Sequence, residues 1–216
     1  MILAVTGGKG GVGKTTLAYN VAASLDAVVV DADLGMADLP AGRGPDLHDV
    51  LAGRAAVTET VRPGPVEIVP CGRTLAGARA ADLTRLAEAV ETLEREHGPV
   101  VIDCPAGRRA DAGVPLAVAD ACLIVVSPRA FALADAIKCR ALARELDAGL
   151  VGCAVNRVTE EAPTDAIAEA LGAPTVVVPA DPRVGRSVVA EQPVIDHAPS
   201  TAAADAIREL AGRVPC

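Results

Sequence analysis

Aromatic side chains are almost absent from this chain, which has no tryptophan, one tyrosine and one phenylalanine among its 216 residues. The hydrophobic core must therefore be built from aliphatic side chains. The hydrophobic fraction of 51% supplies enough of them for one core of ordinary size. We expect a single domain that covers residues 1–216.

Long apolar runs and closely paired cysteines are absent as well. No segment reaches the roughly 20 consecutive apolar residues that a membrane-spanning helix needs, and no basic leader precedes the first apolar segment. We therefore expect a cytoplasmic protein that reaches a membrane or cell pole only through a partner. The six cysteines contain no CxxC pair and are expected to be buried and reduced. His48, His97 and His197 show no ligand spacing, so we interpret them as ordinary surface or capping residues.

Lysine is scarce, because only Lys9, Lys14 and Lys138 occur and the other basic side chains are almost all arginines. The net charge is −8 and the isoelectric point is about 4.9. This balance argues against indiscriminate binding of nucleic acid, because such binding depends on cations that neutralise phosphates. An acidic, lysine-poor and alanine-rich composition is also typical of halophilic proteins, in which high salt screens the surface charges.

Short apolar segments alternate with segments of helical character along the chain. The β-branched runs bounded by Gly, Pro or Asp predict buried parallel strands at residues 2–5, 27–30, 66–69, 100–102, 122–126, 150–155 and 175–178. Helices are predicted at residues 15–25, 46–51, 81–97, 130–146, 164–171 and 201–213. The alternation predicts an α/β fold with a doubly wound, mainly parallel sheet, helices on both faces, and a ligand crevice at the carboxyl ends of the strands.

A glycine-rich turn follows the first predicted strand and opens the first predicted helix. Residues 7–16 read GGKGGVGKTT and contain the pattern G-x-x-x-x-G-K-[ST]. In such a P-loop, backbone N–H groups turn inward onto phosphate oxygens, Lys14 reaches the β and γ phosphates, and Thr15 offers its hydroxyl to Mg²⁺. This context predicts a P-loop NTPase that binds a nucleoside triphosphate and Mg²⁺, with nucleotide contacts from Gly8, Gly10, Gly11, Val12, Gly13, Lys14, Thr15 and Thr16.

Aspartates follow two of the predicted strands. Asp31 and Asp33 come after the second strand, and Asp103 comes after the strand at residues 100–102. In isolation each could be a turn residue or a helix cap. Beside a P-loop, such carboxylates can orient water near the γ phosphate or hold Mg²⁺. We therefore assign Asp31 and Asp33 to catalysis together with Lys14, and we assign Asp33 and Asp103 to the metal together with Thr15.

Lys9 is a second lysine within the P-loop, and residues 9–15 match K-G-G-x-G-K-[ST]. This segment resembles the deviant Walker A ATPases of the MinD/ParA family. The resemblance implies an ATP-dependent homodimer in which Lys9 reaches across to the phosphates of the partner, and Lys9 is therefore assigned to catalysis as well. Leu34, Gly35, Met36 and Ala37 after Asp33 resemble the switch I of MinD rather than that of ParA, and D-x-P-A-G at residues 103–107 is similar to the Walker B and switch II segment of the family.

Two late segments acquire a meaning only from this resemblance. Asn156 is followed by arginine, and Pro179 and Asp181 form a P-x-D segment. As residues they are ordinary turn formers. The resemblance implies that Asn156, Pro179 and Asp181 surround the adenine ring.

The resemblance implies an ATP-hydrolysing molecular switch that is slow without an activating partner. Such a switch dimerises with ATP-Mg²⁺ and positions a partner or a cellular structure, for example in division or in polar or motility assemblies; the activating or cargo protein stays open. The alternatives are a DNA-partition ATPase that uses Arg183 and Arg186, an iron-sulfur carrier with exposed cysteines, and a nucleotide-binding scaffold without catalysis. Residues 201–216 lack lysine and aromatic residues, so direct membrane contact is not expected.

Overall fold

The computed structural model describes residues 1–35, 39–40, 42–107, 110–129 and 132–215, without the side chains of residues 110, 111 and 132. Within this part of the chain, a seven-stranded sheet runs in the order β3-β2-β4-β1-β5-β6-β7, and every neighbouring pair is parallel. The strands are β1 (Ile2–Thr6), β2 (Val28–Asp31), β3 (Ile68–Val69), β4 (Val100–Asp103), β5 (Ala121–Val126), β6 (Gly149–Val158) and β7 (Thr175–Pro179). The predicted α/β class and the predicted position of each strand are confirmed.

Helices connect the strands and cover both faces of the sheet. They are α1 (Lys14–Leu25), α2 (Leu47–Leu51), α3 (Leu75–Ala80), α4 (Leu86–His97), α5 (Ala110–Val118), α6 (Ala132–Glu145), α7 (Thr164–Leu171), α8 (Pro182–Val189), α9 (Val194–His197) and α10 (Ala202–Ala211). Short 3₁₀ turns occur at Val57–Thr60 and Leu83–Arg85. Among the described residues, no helix has both the length and the apolar character needed to cross a bilayer.

The single helix predicted over residues 81–97 is wrong at its amino-terminal end. The side chain of Asp82 accepts a hydrogen bond from the backbone N–H of Thr84, which starts the separate 3₁₀ turn before α4 begins at Leu86. Helices α3, α5, α8 and α9 were not predicted at all. Pro and Gly interrupt or border these segments, which hides their helical pattern in the sequence.

The core lies on both faces of the sheet, because its central strands are buried on both sides. Along β1, Leu3 and Val5 pack into the cluster that holds α1 and α10, whereas Ile2 and Ala4 pack into the cluster that holds α4. This alternation follows from the two-residue period of a strand. The apolar runs that predicted the strands therefore reflect burial on two faces.

The described cysteines are buried free thiols, as predicted, and they are Cys71, Cys104, Cys122, Cys139 and Cys153. Burial raises the pKa of Cys122 and of Cys153 to about 12. These thiols therefore stay protonated at neutral pH and pack as small apolar groups. Cys216 and Phe131 lie outside the described residues.

We predict that Leu123→Ala lowers the free energy of unfolding by about 2–5 kcal/mol, because it opens a cavity at the centre of the sheet. Leu123 is 1% exposed on β5. The matched control is Leu75→Ala, because Leu75 is 67% exposed and its truncation should change stability by no more than about 0.5 kcal/mol. Urea denaturation of both variants measures the difference, and equal losses would contradict the placement of the core.

Candidate functional site

The carboxyl ends of the strands border a cleft of about 870 Å³, here called the P-loop cleft. Most of the residues predicted from the first motif line it, together with one of the predicted aspartates: Gly10, Gly11, Gly13, Lys14, Thr15, Thr16 and Asp33. The sequence analysis missed most of the remaining lining, which includes Tyr19, Asn20, Arg73, Arg157, Val188 and Glu191. The predicted crevice at this edge of the sheet is therefore present.

The P-loop runs from the end of β1 into the first turn of α1. Gly13 precedes the helix with φ of 95°, a left-handed conformation that favours glycine. A Cβ atom at Gly13 would lie 2.3 Å from Nδ2 of Asn156, so the loop also needs glycine for space. Lys14 is the first residue of α1. It is 8% exposed and lines the P-loop cleft.

Lys9 faces a different cavity from Lys14. A second cleft of about 710 Å³, here called the outer cleft, is bordered by Gly8, Lys9 and Val12 of the loop and by Asp135 of α6. The Lys9 ammonium lies 3.3 Å from Oδ2 of Asp135, and the Lys9 side chain is 60% exposed. A Cβ atom at Gly8 would lie 2.6 Å from Cβ of Asp135, so the loop passes directly against α6.

Three carboxylates lie beside the P-loop: Asp31 and Asp103 end the adjacent strands β2 and β4, and Asp33 lies in the loop after β2. Asp31 is paired with Asp103 across β2 and β4, and Asp103 is paired with Val5 of β1. Asp31 is fully buried, and its oxygens accept hydrogen bonds from the backbone N–H groups of Asp33 and Leu39, each at 3.2 Å. Asp33 is half-buried and lines the P-loop cleft. The buried Asp31 thus fixes the loop that presents Asp33.

Oxygen ligands suitable for Mg²⁺ converge at this edge of the sheet. The hydroxyl of Thr15 and the carboxylate of Asp33 border the same cleft, and the carboxylate of Asp103 is 1% exposed at the end of the neighbouring strand. Mg²⁺ prefers carboxylate, hydroxyl and water oxygens. The residues predicted for the metal therefore fit the group.

The predicted adenine residues occupy two different settings. Asn156 is 7% exposed and donates from Nδ2 to the carbonyl oxygen of Val12 at 2.8 Å, so β6 is tied directly to the P-loop. Arg157, whose φ is 63°, donates to the carbonyl oxygen of Gly11 at 3.0 Å. Arg157 could have been identified from its place directly after Asn156, but the prediction used only the asparagine.

Pro179 and Asp181 lie farther along the same edge, outside the lining of both clefts. Pro179 ends β7, and Asp181 caps α8 by accepting from the backbone N–H of Arg183 at 2.8 Å. The Arg183 guanidinium also bonds to the carboxylate and holds the pKa of Asp181 below its usual value. The observed role of Asp181 is therefore a helix cap, and an approach to adenine stays a prediction.

Tyr19 and Asn20 anchor the far end of the P-loop cleft. The hydroxyl of Tyr19 donates to the carbonyl oxygen of Glu191 at 3.0 Å. Asn20 is 1% exposed, accepts from the N–H of Val194 at 2.6 Å and donates to the carbonyl oxygen of Thr16 at 2.8 Å. The first helix is thereby fixed to the start of α9 and to the turn before it. The only sequence signal that could have indicated Asn20 is its place on the buried face of α1.

The interpretation of His48 as a surface residue is wrong, because His48 is only 2% exposed. Its Nε2 atom lies 3.2 Å from the carbonyl oxygen of Leu34 and 3.5 Å from Sγ of Cys71. A Cβ atom at Gly72 would lie 2.2 Å from Nδ1 of His48, so the glycine makes room for the ring. The buried imidazole therefore joins the loop after β2 to the loop after β3.

The other two histidines are closer to the prediction. His97 ends α4 and lies 2.9 Å from the carboxylate of Glu67, and His197 is exposed.

Comparisons with known proteins agree with this geometry. Residues 3–194 match the family model described as the CobQ/CobB/MinD/ParA nucleotide binding domain. An uncharacterised ATP-binding protein of Methanocaldococcus jannaschii is 34% identical over 98% of this chain and 86% of its own length.

Two solved structures of archaeal MinD proteins have the same fold. The cell division ATPase MinD of Pyrococcus furiosus superposes with a TM-score of 0.90 at 28% identity and covers 98% of this chain and 97% of its own. MinD of Pyrococcus horikoshii, complexed with Mg-ADP, superposes with a TM-score of 0.89 at 27% identity and covers 97% of this chain and 93% of its own. The predicted P-loop fold and the predicted class of cofactor are confirmed by these matches, and the chain belongs to the CobQ/CobB/MinD/ParA family of nucleotide-binding domains.

Proposed function

We propose that this chain is an ATP-hydrolysing switch that dimerises when ATP and Mg²⁺ are bound and then positions a partner or a cellular structure. The observation that carries the proposal is that two lysines of one loop face two different cavities. Lys14 is buried in the P-loop cleft, where it can serve the nucleotide of its own subunit. Lys9 is 60% exposed at the outer cleft, where it can serve a second subunit.

Binding of the phosphates follows from the first turn of α1. The backbone N–H groups of the loop and the positive end of the helix dipole favour an anion at this place. Lys14 adds a full charge, and Thr15 supplies a hydroxyl to Mg²⁺. When bound, Mg²⁺ neutralises charge on the phosphate oxygens and keeps waters in its coordination shell.

Hydrolysis requires a water that is held in line with the terminal phosphate. Asp33 borders the cleft with its carboxylate, and Asp31 fixes the backbone that carries it. We assign Asp33 the orientation of the attacking water, because positioning of the nucleophile supplies much of the catalysis in phosphoryl transfer. Asp31 acts by holding the loop, and Asp103 assists the metal.

The ion pair between Lys9 and Asp135 does not prevent Lys9 from reaching a partner. Exposed ion pairs contribute only about 0.2–1 kcal/mol. A phosphate group that becomes available across a dimer interface offers a stronger, charge-assisted interaction. The ion pair therefore holds the Lys9 side chain beside α6 until a second subunit with bound nucleotide is in place.

The other functional classes have less support. Arg183, one of the two arginines considered for DNA, is paired with Asp181 in a chain of net charge −8. An iron-sulfur carrier needs accessible cysteines, and the five described ones are buried. Similarity to cell division MinD structures supports the spatial regulator instead.

We predict that the chain is a dimer in ATP-Mg²⁺ and a monomer in ADP-Mg²⁺ or without nucleotide. Lys9→Ala should abolish the dimer and lower hydrolysis by about 10³-fold or more, by analogy with cations supplied in trans. Asp33→Ala should trap the ATP dimer because hydrolysis is blocked. Light scattering and phosphate release at low and high salt measure both effects.

Lys138→Ala is the matched control for Lys9→Ala, because Lys138 is exposed on α6 and borders neither cleft. It should leave assembly and hydrolysis unchanged. A chain that binds ATP yet stays monomeric under every condition would refute the dimer switch.

We predict that Asn156→Ala weakens the binding of ATP and of ADP equally, by about fivefold to tenfold, because both nucleotides depend on the P-loop that Asn156 supports.

Asp181→Ala tests the adenine assignment separately. If Asp181 approaches the base, its removal should lower the preference for ADP over GDP in titration calorimetry. Asp165→Ala, which removes an exposed aspartate at the start of α7, is the control. An unchanged ratio of the ADP and GDP affinities would remove Asp181 from the adenine site.

A further inference from the structure

Arg73 brings a third basic side chain to the P-loop cleft that the motifs do not account for. It follows β3 and lines the same cleft as Lys14 and Asp33. Its side chain is exposed. Its location matters because a guanidinium beside a phosphate-binding loop is attracted to the same anion as the loop. An exposed arginine elsewhere on the surface would be read as a solvated side chain.

The segment that carries Arg73 is anchored rather than loose. Cys71 is buried, and its Sγ atom lies 3.5 Å from Nε2 of His48. The next residue, Gly72, lies so close to the imidazole that a Cβ atom would meet it at 2.2 Å. Because His48 also contacts the carbonyl oxygen of Leu34, the loop of Arg73 is fixed against the loop of Asp33.

The strand order indicates which end of the nucleotide Arg73 meets. On one side of β1 lie β4, β2 and β3. Asp103 ends β4, and Asp33 and Arg73 lie in the loops that follow β2 and β3. On the other side lie β5, β6 and β7, whose ends carry the residues predicted to surround adenine. A nucleotide laid across the P-loop with its base toward β6 and β7 therefore directs its terminal phosphate toward the side of Asp33 and Arg73.

We propose that Arg73 binds the terminal phosphate of ATP within its own subunit and thereby favours ATP over ADP. The inference rests on the proposed function, because it needs ATP in the P-loop cleft. The chemistry suits the residue, since a guanidinium offers a planar pair of donors that matches phosphate oxygens and does not lose its charge. ADP lacks the phosphate that Arg73 contacts, so Arg73 should raise the affinity for ATP but not the affinity for ADP.

The test compares the dissociation constants of a non-hydrolysable ATP analogue and of ADP, each with Mg²⁺, by titration calorimetry. Arg73→Ala should raise the Kd of the analogue about tenfold, the loss expected for a hydrogen bond to a charged group, and leave the Kd of ADP unchanged. Arg73→Lys should retain part of the preference, because it keeps the charge without the fork. Arg79→Ala, an exposed arginine on α3 outside both clefts, should behave as wild type.

The same titration in a Lys9→Ala background, in which the proposed dimer cannot form, separates action within a subunit from action across the interface. Persistence of the ATP-specific loss supports the assignment, and its disappearance overturns it. Equal weakening of both nucleotides, or no weakening, also overturns it. If the wild-type chain binds neither nucleotide, the proposed function itself fails. Thermal denaturation of each variant is the control that shows whether the variant is folded.

Discussion

β1 lies at the centre of the sheet with β4 hydrogen-bonded on one side and β5 on the other, both in parallel register. Parallel pairing places the carboxyl ends of all these strands at one edge. The P-loop leaves β1 at that edge, so it lies among the side chains that the neighbouring strands deliver there, and its outer side contacts Asp135 of α6. The position of Asp31, Asp33, Asp103 and Asn156 around the loop is a consequence of this pairing.

The charged side chains that the fold buries lie at the same edge of the sheet. Among the described residues, the buried charged side chains are Lys14, Asp31 and Asp103, and all three lie there. Burying an ionised group without partners is expensive, so such groups persist where hydrogen bonds and opposite charges offset the loss of water. Asp31 meets this requirement through two backbone N–H groups. Elsewhere the described interior holds neutral side chains, most of them aliphatic, with a few buried polar groups such as Thr60, Ser187 and Thr201.

Features with a strong local pattern could be predicted from the sequence, and features that depend on tertiary contact could not. The β-branched runs indicated the strands because burial on two faces leaves an uninterrupted apolar segment. The P-loop was recognisable because its glycines and lysine act through the local backbone. His48 was misread because a histidine has no periodic signature and its burial depends on Cys71, Gly72 and Leu34 in other loops. Arg73 was overlooked for the same reason, since only the strand order brings β3 beside β2.

The shortage of aromatic residues has an optical consequence at the cleft. Tyr19 is the single tyrosine, and no tryptophan is present to mask its emission. Its hydroxyl bonds to the main chain of Glu191 at the cleft lining. Burial together with nearby carboxylates raises the pKa of Tyr19 above its ordinary value, which is itself far above neutral pH. Under excitation at wavelengths that phenylalanine does not absorb, the intrinsic fluorescence of the protein therefore originates at Tyr19, in the lining of the P-loop cleft. The described core against which it packs consists of aliphatic side chains, so this one phenol ring is a built-in fluorophore at the lining of the cleft.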